Sequence, residues 1–449
     1  MEQTFDTIVI GFGKAGKTLA GKLAKQGEKV ALIEKDAGMY GGTCINVGCI
    51  PSKRLVTDSA LAPVHDFEKQ SAYYSNAIHE KRKLTAALRM ANYNKVAGTG
   101  AKVINGTASF VDERTVEVAD SHGTVERFSA SKFVINTGSR PVVPDIPGIE
   151  GNSRVFVSET MMDCETLPER LTIIGGGYIG LEFAAMYARF GSKVTIVQHG
   201  DVFLPKEDPD VAEAIQSVLK TYGIQVITEA ATEKIDKGTI YYRKDGTVHT
   251  LEADAILIAA GRAPNTESLH AERAGITLTK RNAIATDEHL RTSVKNIWAA
   301  GDVCGNLQFT YISLDDSRII LSDMQGDGSR TTENRGAFSY SVFIEPAFSR
   351  VGLSEAEAAK KGLNYRVVKM NVDAIPKAKV LRKTAGLMKA VIDKDSGKIL
   401  GAALFCPESY EIVNMVKLAI DHGMDYTVLR DFIYTHPTIS EGLNDLFAL

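Results

Sequence analysis

Apolar residues fall along this chain in a unit that occurs twice. A short apolar run, Thr7-Ile8-Val9-Ile10, is followed at once by Gly11-Phe12-Gly13-Lys14-Ala15-Gly16. Residues 17–26 then carry Leu19, Ala20, Leu23 and Ala24 at helical spacing, Gly27 interrupts, and residues 29–33 form a second apolar run ending in Glu34. Short continuous apolar runs read as buried strands, and the i, i+4 pattern as a helix. The unit is therefore strand, glycine loop, helix, strand. It returns with a strand at 171–174, the loop Gly175-Gly176-Gly177-Tyr178-Ile179-Gly180, a helix at 181–190 stopped by Gly191, and a strand at 193–197. The register holds without a gap: Gly11 matches Gly175, Gly27 matches Gly191, Lys29 matches Lys193 and Glu34 matches Gln198.

A further pair repeats. Residues 133–141 and 255–264 are apolar strands that end in glycine turns, at Gly138 and Gly261, and each is expected to return into its own nucleotide unit. Alternating patterns at 115–128 and 239–251 predict small antiparallel sheets between loop and return strand. Residues 296–303 are one more strand, ending in Gly301-Asp302. The long polar stretch 56–95 reads as one or two surface helices, with Lys81, Arg82 and Lys83 on a solvated face. From about Gly336 the rhythm changes to strands at 339–343, 349–353, 365–370, 386–392 and 399–405, with helices at 354–361 and 408–422.

The pattern predicts an α/β fold with two Rossmann-like dinucleotide-binding domains and a C-terminal α+β domain. The expected division is 1–145 and 266–335 for the first nucleotide domain, 146–265 for the second, and 336–449 for the last. With 449 residues, about three domains of roughly 150 residues are expected. Composition changes little: 44% hydrophobic, 24% charged and a net charge of −3 give no pull towards nucleic acid. No apolar run approaches the ~20 residues of a membrane span, and no leader pattern opens the chain. Five sparse cysteines do not resemble a secreted disulfide framework, so a cytoplasmic location is expected.

Strand, GxGxxG, helix, strand and acid together form the dinucleotide-binding fingerprint. Its glycines permit a tight turn and bring a pyrophosphate close to a helix N-terminus, while Glu34 can accept hydrogen bonds from ribose hydroxyls. A tight turn alone is the alternative for one such loop; two in register imply two dinucleotides. Between them lies Gly41-Gly42-Thr43-Cys44-Ile45-Asn46-Val47-Gly48-Cys49-Ile50-Pro51-Ser52-Lys53. Pro51 suits the first turn of a helix, and a helix N-terminus favours a thiolate. The Cys-x4-Cys pair reads as a redox-active dithiol/disulfide. A structural staple closing so short a loop would contribute roughly 2 kcal/mol and is not needed in a chain this long; a zinc site would want a second ligand pair. Asp302 either caps a helix or holds a sugar or ribityl hydroxyl. His436 and Glu441, in Tyr434-Thr435-His436-Pro437-Thr438-Ile439-Ser440-Glu441, either close a loop or form an imidazole–carboxylate acid/base pair. Cys164, Cys304 and Cys406 read as small packing residues.

Taken together, these motifs resemble the flavin-dependent pyridine nucleotide–disulfide oxidoreductases, a family that includes dihydrolipoamide dehydrogenase, glutathione reductase and mercuric reductase. The flanking stretches 10–20, 39–44, 307–316 and 443–447 are similar to a bacterial branch linked to reactive-chlorine resistance and described as copper(II) reductases. The resemblance implies FAD at Gly11, Gly13, Gly16, Glu34, Gly42, Thr43, Lys53, Gly138, Gly301 and Asp302. It implies NADH or NADPH at Gly175, Gly177, Tyr178, Gly180, Glu182, Gln198 and Gly261. Tyr178 matches a gating tyrosine between nicotinamide and flavin, and Lys53 with Glu182 a charged pair near the flavin. Cys49 matches the flavin-facing thiolate and Cys44 the interchange thiol. His436, held by Glu441, matches the acid/base supplied by the other subunit of a homodimer. Gln198 stands where NAD-specific members carry an acid, which leaves NADH against NADPH open. The C-terminal cysteine pair of mercuric reductases is absent. The expected activity is NAD(P)H-dependent reduction of a metal ion such as Cu(II) in defence against oxidants, with no dedicated metal site beyond Cys44 and Cys49 for the substrate ion. The alternatives are a disulfide reductase of the dihydrolipoamide dehydrogenase type and a redox sensor that does not turn over.

Overall fold

The structure is a computed structural model and describes residues 3–448. A seven-stranded sheet forms the first layer system, in the order Lys102–Asn105, Val30–Glu34, Gln3–Ile10, Val125–Ile135, Thr115–Ala119, Thr107–Phe110, with Ile297–Ala299 joining alongside Val125–Ile135. Its nucleotide-binding half is parallel. Every residue of Val30–Glu34 is buried, as a parallel strand covered on both faces requires. The second sheet is wholly parallel: Gln225–Ile227, Lys193–Val197, Arg170–Ile174, Ala255–Ile258, Val155–Val157. Both glycine loops lie at the carboxyl ends of the first strands of these sheets, where open α/β sheets bind ligands.

The repeat seen in the chain is also a repeat in space. Each glycine loop opens a helix, Lys14–Lys25 in the first unit and Tyr178–Phe190 in the second. Gly191 ends the second helix with φ 116°, a left-handed cap that suits glycine. The stretch expected at 115–128 as a small separate sheet instead extends the first sheet. Val125–Ile135 is a single strand, antiparallel to Thr115–Ala119 and parallel to Gln3–Ile10. The counterpart in the second unit does stand apart, as three antiparallel strands at Ala231–Asp236, Thr239–Lys244 and Thr247–Glu252.

The polar stretch after the cysteine pair is two helices, Cys49–Ser59 and Phe67–Ala97, with the second capped by the Asp66 carboxylate on the Lys69 N–H at 3.1 Å. The longer helix is not simply a surface element. Tyr74 is fully buried and its hydroxyl lies 2.8 Å from that of Tyr187, on the helix of the second glycine loop. Lys81, expected on a solvated face, is buried and paired with Asp163. A buried ammonium persists only with a partner, and sequence periodicity does not show a partner so far along the chain.

The C-terminal part is a five-stranded antiparallel sheet, in the order Ser339–Val342, Phe348–Gly352, Ile399–Phe405, Leu387–Asp393, Tyr365–Asn371, backed by the helix Ser409–Asp421. Lys389 pins this sheet to the second nucleotide unit. Its ammonium is 2% exposed and reaches Asp208 at 3.1 Å, Asp210 at 3.0 Å and Glu355 at 2.6 Å. Removing one member of such a buried cluster leaves charge uncompensated. Lys389→Ala is expected to destabilise the fold by about 3 kcal/mol, read as a lowered thermal midpoint; an unchanged midpoint would mean that water already screens the three carboxylates.

Candidate active site

The cysteine pair lies where two loops touch. Gly42 has φ +76°, and a Cβ placed on it would come 2.7 Å from the Cα of Gly13. Glycine at 42 lets the cysteine loop lie against the first glycine loop, whereas Gly13 is closed by Asn136, whose Oδ1 a Cβ there would meet at 2.4 Å. Cys44 sits in the single turn Thr43–Asn46, and Cys49 is the first residue of the helix Cys49–Ser59, with Pro51 in its first turn. Asn46 holds the loop from within, donating to the carbonyls of Tyr40 at 3.1 Å and Gly42 at 2.9 Å. Arg89, on the helix Phe67–Ala97, donates to the Asn46 side-chain oxygen at 2.8 Å.

Both sulfurs are thiols in the structure, and their environments drive them apart. Cys49 is pushed down to about 6, first by a hydrogen bond from Cys44, with help from Thr310 and the Lys53 ammonium, against the opposing effect of burial. Cys44 is pushed well up, by the same hydrogen bond and by burial. A thiolate beside a thiol therefore forms at neutral pH, with the negative charge on Cys49. Thr310, whose hydroxyl is 3.5 Å from the Cys49 sulfur, opens the helix Thr310–Gln325. The sequence reading passed over it, because a threonine far from the cysteine motif carries no local signal.

A cavity of about 2340 Å³ runs past both glycine loops and the cysteines. That is well above the ~300–1,000 Å³ of a single ligand pocket. Gly11, Gly13, Gly42, Thr43, Lys53, Gly138 and Asp302 line it, as do Gly177, Tyr178, Glu182 and Gly261. The first loop fits a dinucleotide pyrophosphate. A Cβ on Gly16 would meet the Gly11 carbonyl oxygen at 2.3 Å, so the loop and its helix are closed tightly on each other. Gly177 in the second loop differs: its φ is ordinary and a Cβ would meet nothing in the protein within 4 Å. Its smallness serves something outside the chain, as a close-lying pyrophosphate would require. Gly175 and Gly180 are closed against the Ala259 and Gly175 carbonyls.

Of the remaining candidates Glu34 lines the cavity, whereas Gly16, Gly175, Gly180, Gln198, Gly301, His436 and Glu441 do not. Glu34 is buried and accepts from the Phe12 N–H at 2.9 Å, which presents its carboxylate to the loop. Asp302 accepts from the Ser139 hydroxyl at 2.7 Å, and Gly301, its neighbour, takes φ +74°. Lys53 and Glu182 pair at 2.7 Å, joining the cysteine helix to the helix of the second loop. Gln198 accepts from the Gly176 N–H at 2.8 Å, which leaves its amide N–H groups as free donors beside that loop. His436 and Glu441 pair at 2.7 Å between Nδ1 and Oε2. They do not line the cavity, and His436 is 71% exposed. Cys304 and Cys406 are buried, and Cys164 donates to the Thr166 carbonyl. Among the described residues no helix is long and apolar enough to cross a membrane, and no cluster of three or more His, Cys, Asp or Glu is placed to hold a metal.

The model of the pyridine nucleotide-disulphide oxidoreductase family matches residues 5–317, and that of the family's dimerisation domain matches residues 338–447. The chain belongs to this family. It is an oxidoreductase that uses FAD and NAD(P)H, with a C-terminal dimerisation domain. The probable pyridine nucleotide-disulfide oxidoreductase RclA of Escherichia coli is 46% identical over 450 residues, covering 99% of each chain. A mercuric reductase of Staphylococcus aureus is 31% identical, covering 98% of this chain and 81% of that protein. A dihydrolipoyl dehydrogenase of Geobacillus stearothermophilus is 32% identical, covering 97% and 94%. The solved Cu(II) complex of the HOCl-induced flavoprotein disulfide reductase RclA of E. coli superposes with a TM-score of 0.94 at 44% identity, covering 100% of this chain and 99% of that one.

The largest contribution to the asymmetry of the two thiols is the hydrogen bond between them, and it can be removed. A hydrogen bond to a charged group contributes about 1.5–3 kcal/mol, and 1.36 kcal/mol is one pKa unit. In the reduced protein, Cys44→Ala is expected to raise the Cys49 pKa by about one unit or more. The rate of iodoacetamide alkylation against pH reads it. A midpoint that stays near its wild-type value would show that Lys53 and the helix N-terminus hold the thiolate without Cys44.

Proposed function

We propose that this enzyme passes electrons from NAD(P)H through the Cys44–Cys49 pair to a metal ion such as Cu(II), in defence against reactive chlorine. The observation that carries the reading is the split thiol pair in the cavity, with the charge gathered on Cys49 and the His436–Glu441 pair of the same chain lying outside that cavity. Reducing a metal ion needs electrons and ligands but no proton delivered to the substrate. The solved relative in complex with Cu(II) supports the same choice.

When bound, FAD supplies the hydride-accepting chemistry between NAD(P)H and the cysteines. Gly11, Gly13, Gly16, Glu34, Gly42, Thr43, Gly138, Gly301 and Asp302 would hold it, and Gly175, Gly177, Gly180, Gln198 and Gly261 would hold the nicotinamide nucleotide. Lys53 and Glu182 place a compensated charge pair beside the cysteine helix. Cys49 keeps the thiolate and Cys44 meets the substrate. In the closing step the two sulfurs form one disulfide bond, the Cys44 proton leaves to solvent, and the two electrons released reduce two Cu(II) to two Cu(I). The substrate ion binds at the cysteines themselves. The Gln198 amide N–H groups donate to a ribose 2′-hydroxyl or to a 2′-phosphate, so both NADH and NADPH serve. The chain divides as 1–145 with 266–335, 146–265 and 336–449. It works as a cytoplasmic homodimer in which His436 and Glu441 face the partner's cysteines.

That exposed His436–Glu441 pair is what favours a second reading, reduction of a small disulfide, which needs a proton donor. His436→Ala separates the two. Copper reduction is expected to stay within about threefold of wild type, whereas a disulfide reductase would lose the roughly 10²–10⁴-fold that a general acid/base supplies. Cys49→Ser is expected to abolish NAD(P)H-driven Cu(II) reduction. Retained turnover in that variant would take the dithiol out of the electron path.

A further inference from the structure

Tyr178 is the first residue of its helix, directly after the second glycine loop, and Glu182 lies one turn further on the same face, paired with Lys53. Tyr178 therefore stands between the loop that holds the nucleotide and the cysteine helix. Its hydroxyl is not free. It donates to the Glu207 carboxylate, and it lies 3.0 Å from the hydroxyl of Tyr340. Tyr340 comes from a different part of the fold, the strand Ser339–Val342 of the C-terminal sheet, and it donates to the same Glu207 oxygen. The two rings lie 5.3 Å apart. All three residues line the cavity, so the contact is a bar along its wall.

The bar is braced from behind. The Glu207 side chain is 1% exposed and faces the buried Arg350 guanidinium at 3.5 Å. Arg350 is anchored in turn on the Lys206 carbonyl at 2.7 Å and on Glu357. Burial, with Glu207 alongside, holds both phenols protonated, so each remains a donor. None of Glu207, Tyr340 or Arg350 belongs to a motif legible in the chain.

We propose that Glu207 and Tyr340 are positioning residues that latch Tyr178 across the route of the nicotinamide ring, and so set the affinity of the enzyme for NAD(P)H. The proposal rests on the reading of Tyr178 as lying between the second glycine loop and FAD. For the ring to enter, Tyr178 swings aside and gives up its hydrogen bond to Glu207 and its contact with Tyr340. Observed affinity is then the intrinsic affinity scaled by the unlatched fraction.

The test is equilibrium binding of NAD+ and of ADP-ribose to the oxidised, FAD-loaded dimer by calorimetry. ADP-ribose carries the adenosine and pyrophosphate contacts but no nicotinamide. Glu207→Gln and Tyr178→Phe are each expected to tighten NAD+ by about tenfold or more, as the loss of a hydrogen bond to a carboxylate implies, and to leave ADP-ribose unchanged. Together they are expected to tighten it no further than either alone, since both remove the same latch. Tyr340→Phe is expected to act in the same direction and keeps the test open if Glu207→Gln does not fold. Unchanged or weaker NAD+ binding in these variants, with tighter binding in Tyr178→Ala, would overturn the latch and leave the gate. No change in Tyr178→Ala would remove the gate and the latch with it. Equal tightening of ADP-ribose would also overturn the proposal, because the effect would then lie away from the nicotinamide.

Discussion

Two backbones that almost touch hold this site together. Gly42, in the cysteine loop, lies so close to Gly13, in the first glycine loop, that position 42 has no room for a side chain. That contact brings the thiol pair against the loop that fits a pyrophosphate, and the rest of the site is arranged to keep it there. Asn46 ties the cysteine turn to its own backbone, Arg89 ties Asn46 to the long helix, and Tyr74 ties that helix to the second nucleotide unit. The thiol pair is thus fastened to both nucleotide units at once.

The chemistry follows from unequal surroundings of equal side chains. Cys44 and Cys49 are the same residue type, yet one is a helix N-terminal sulfur near Lys53 and the other is a half-buried donor to it. Charge gathers on Cys49 because a hydrogen bond, a helix N-terminus and an ammonium all favour the anion there. Thr310 adds to this from a helix remote in sequence. A pair so polarised has one sulfur suited to lie beside a cofactor and one suited to meet substrate.

Three charged clusters connect the units. Lys53–Glu182 joins the cysteine helix to the second glycine-loop helix, Lys389 joins the C-terminal sheet to Asp208 and Asp210, and Arg350 joins that sheet to Glu207. All of them cross between parts that also pack on one shared apolar core, which holds Leu55, Leu181, Val211, Phe348 and Phe405. Buried charges contribute little net stability, but they are exacting about geometry. They suit joints whose alignment matters more than their strength.

Much of this was legible in the chain. The glycine spacing, the duplicated strand–loop–helix–strand unit and the Cys-x4-Cys pair are local patterns, imposed by backbone sterics and by the period of the helix, so they appear as residues in sequence. The pairing of His436 with Glu441 was visible for the same reason, since both lie in one short loop. What only the tertiary structure decided involves partners that are far apart in the chain. Lys81 looked solvated until the fold placed Asp163 beside it, and the 115–128 strands looked like a separate sheet until they were seen to extend the first. Thr310, Glu207 and Tyr340 gave no signal in the chain. A hydrogen bond between distant residues needs only one polar atom near another, and such a requirement leaves no period or spacing behind.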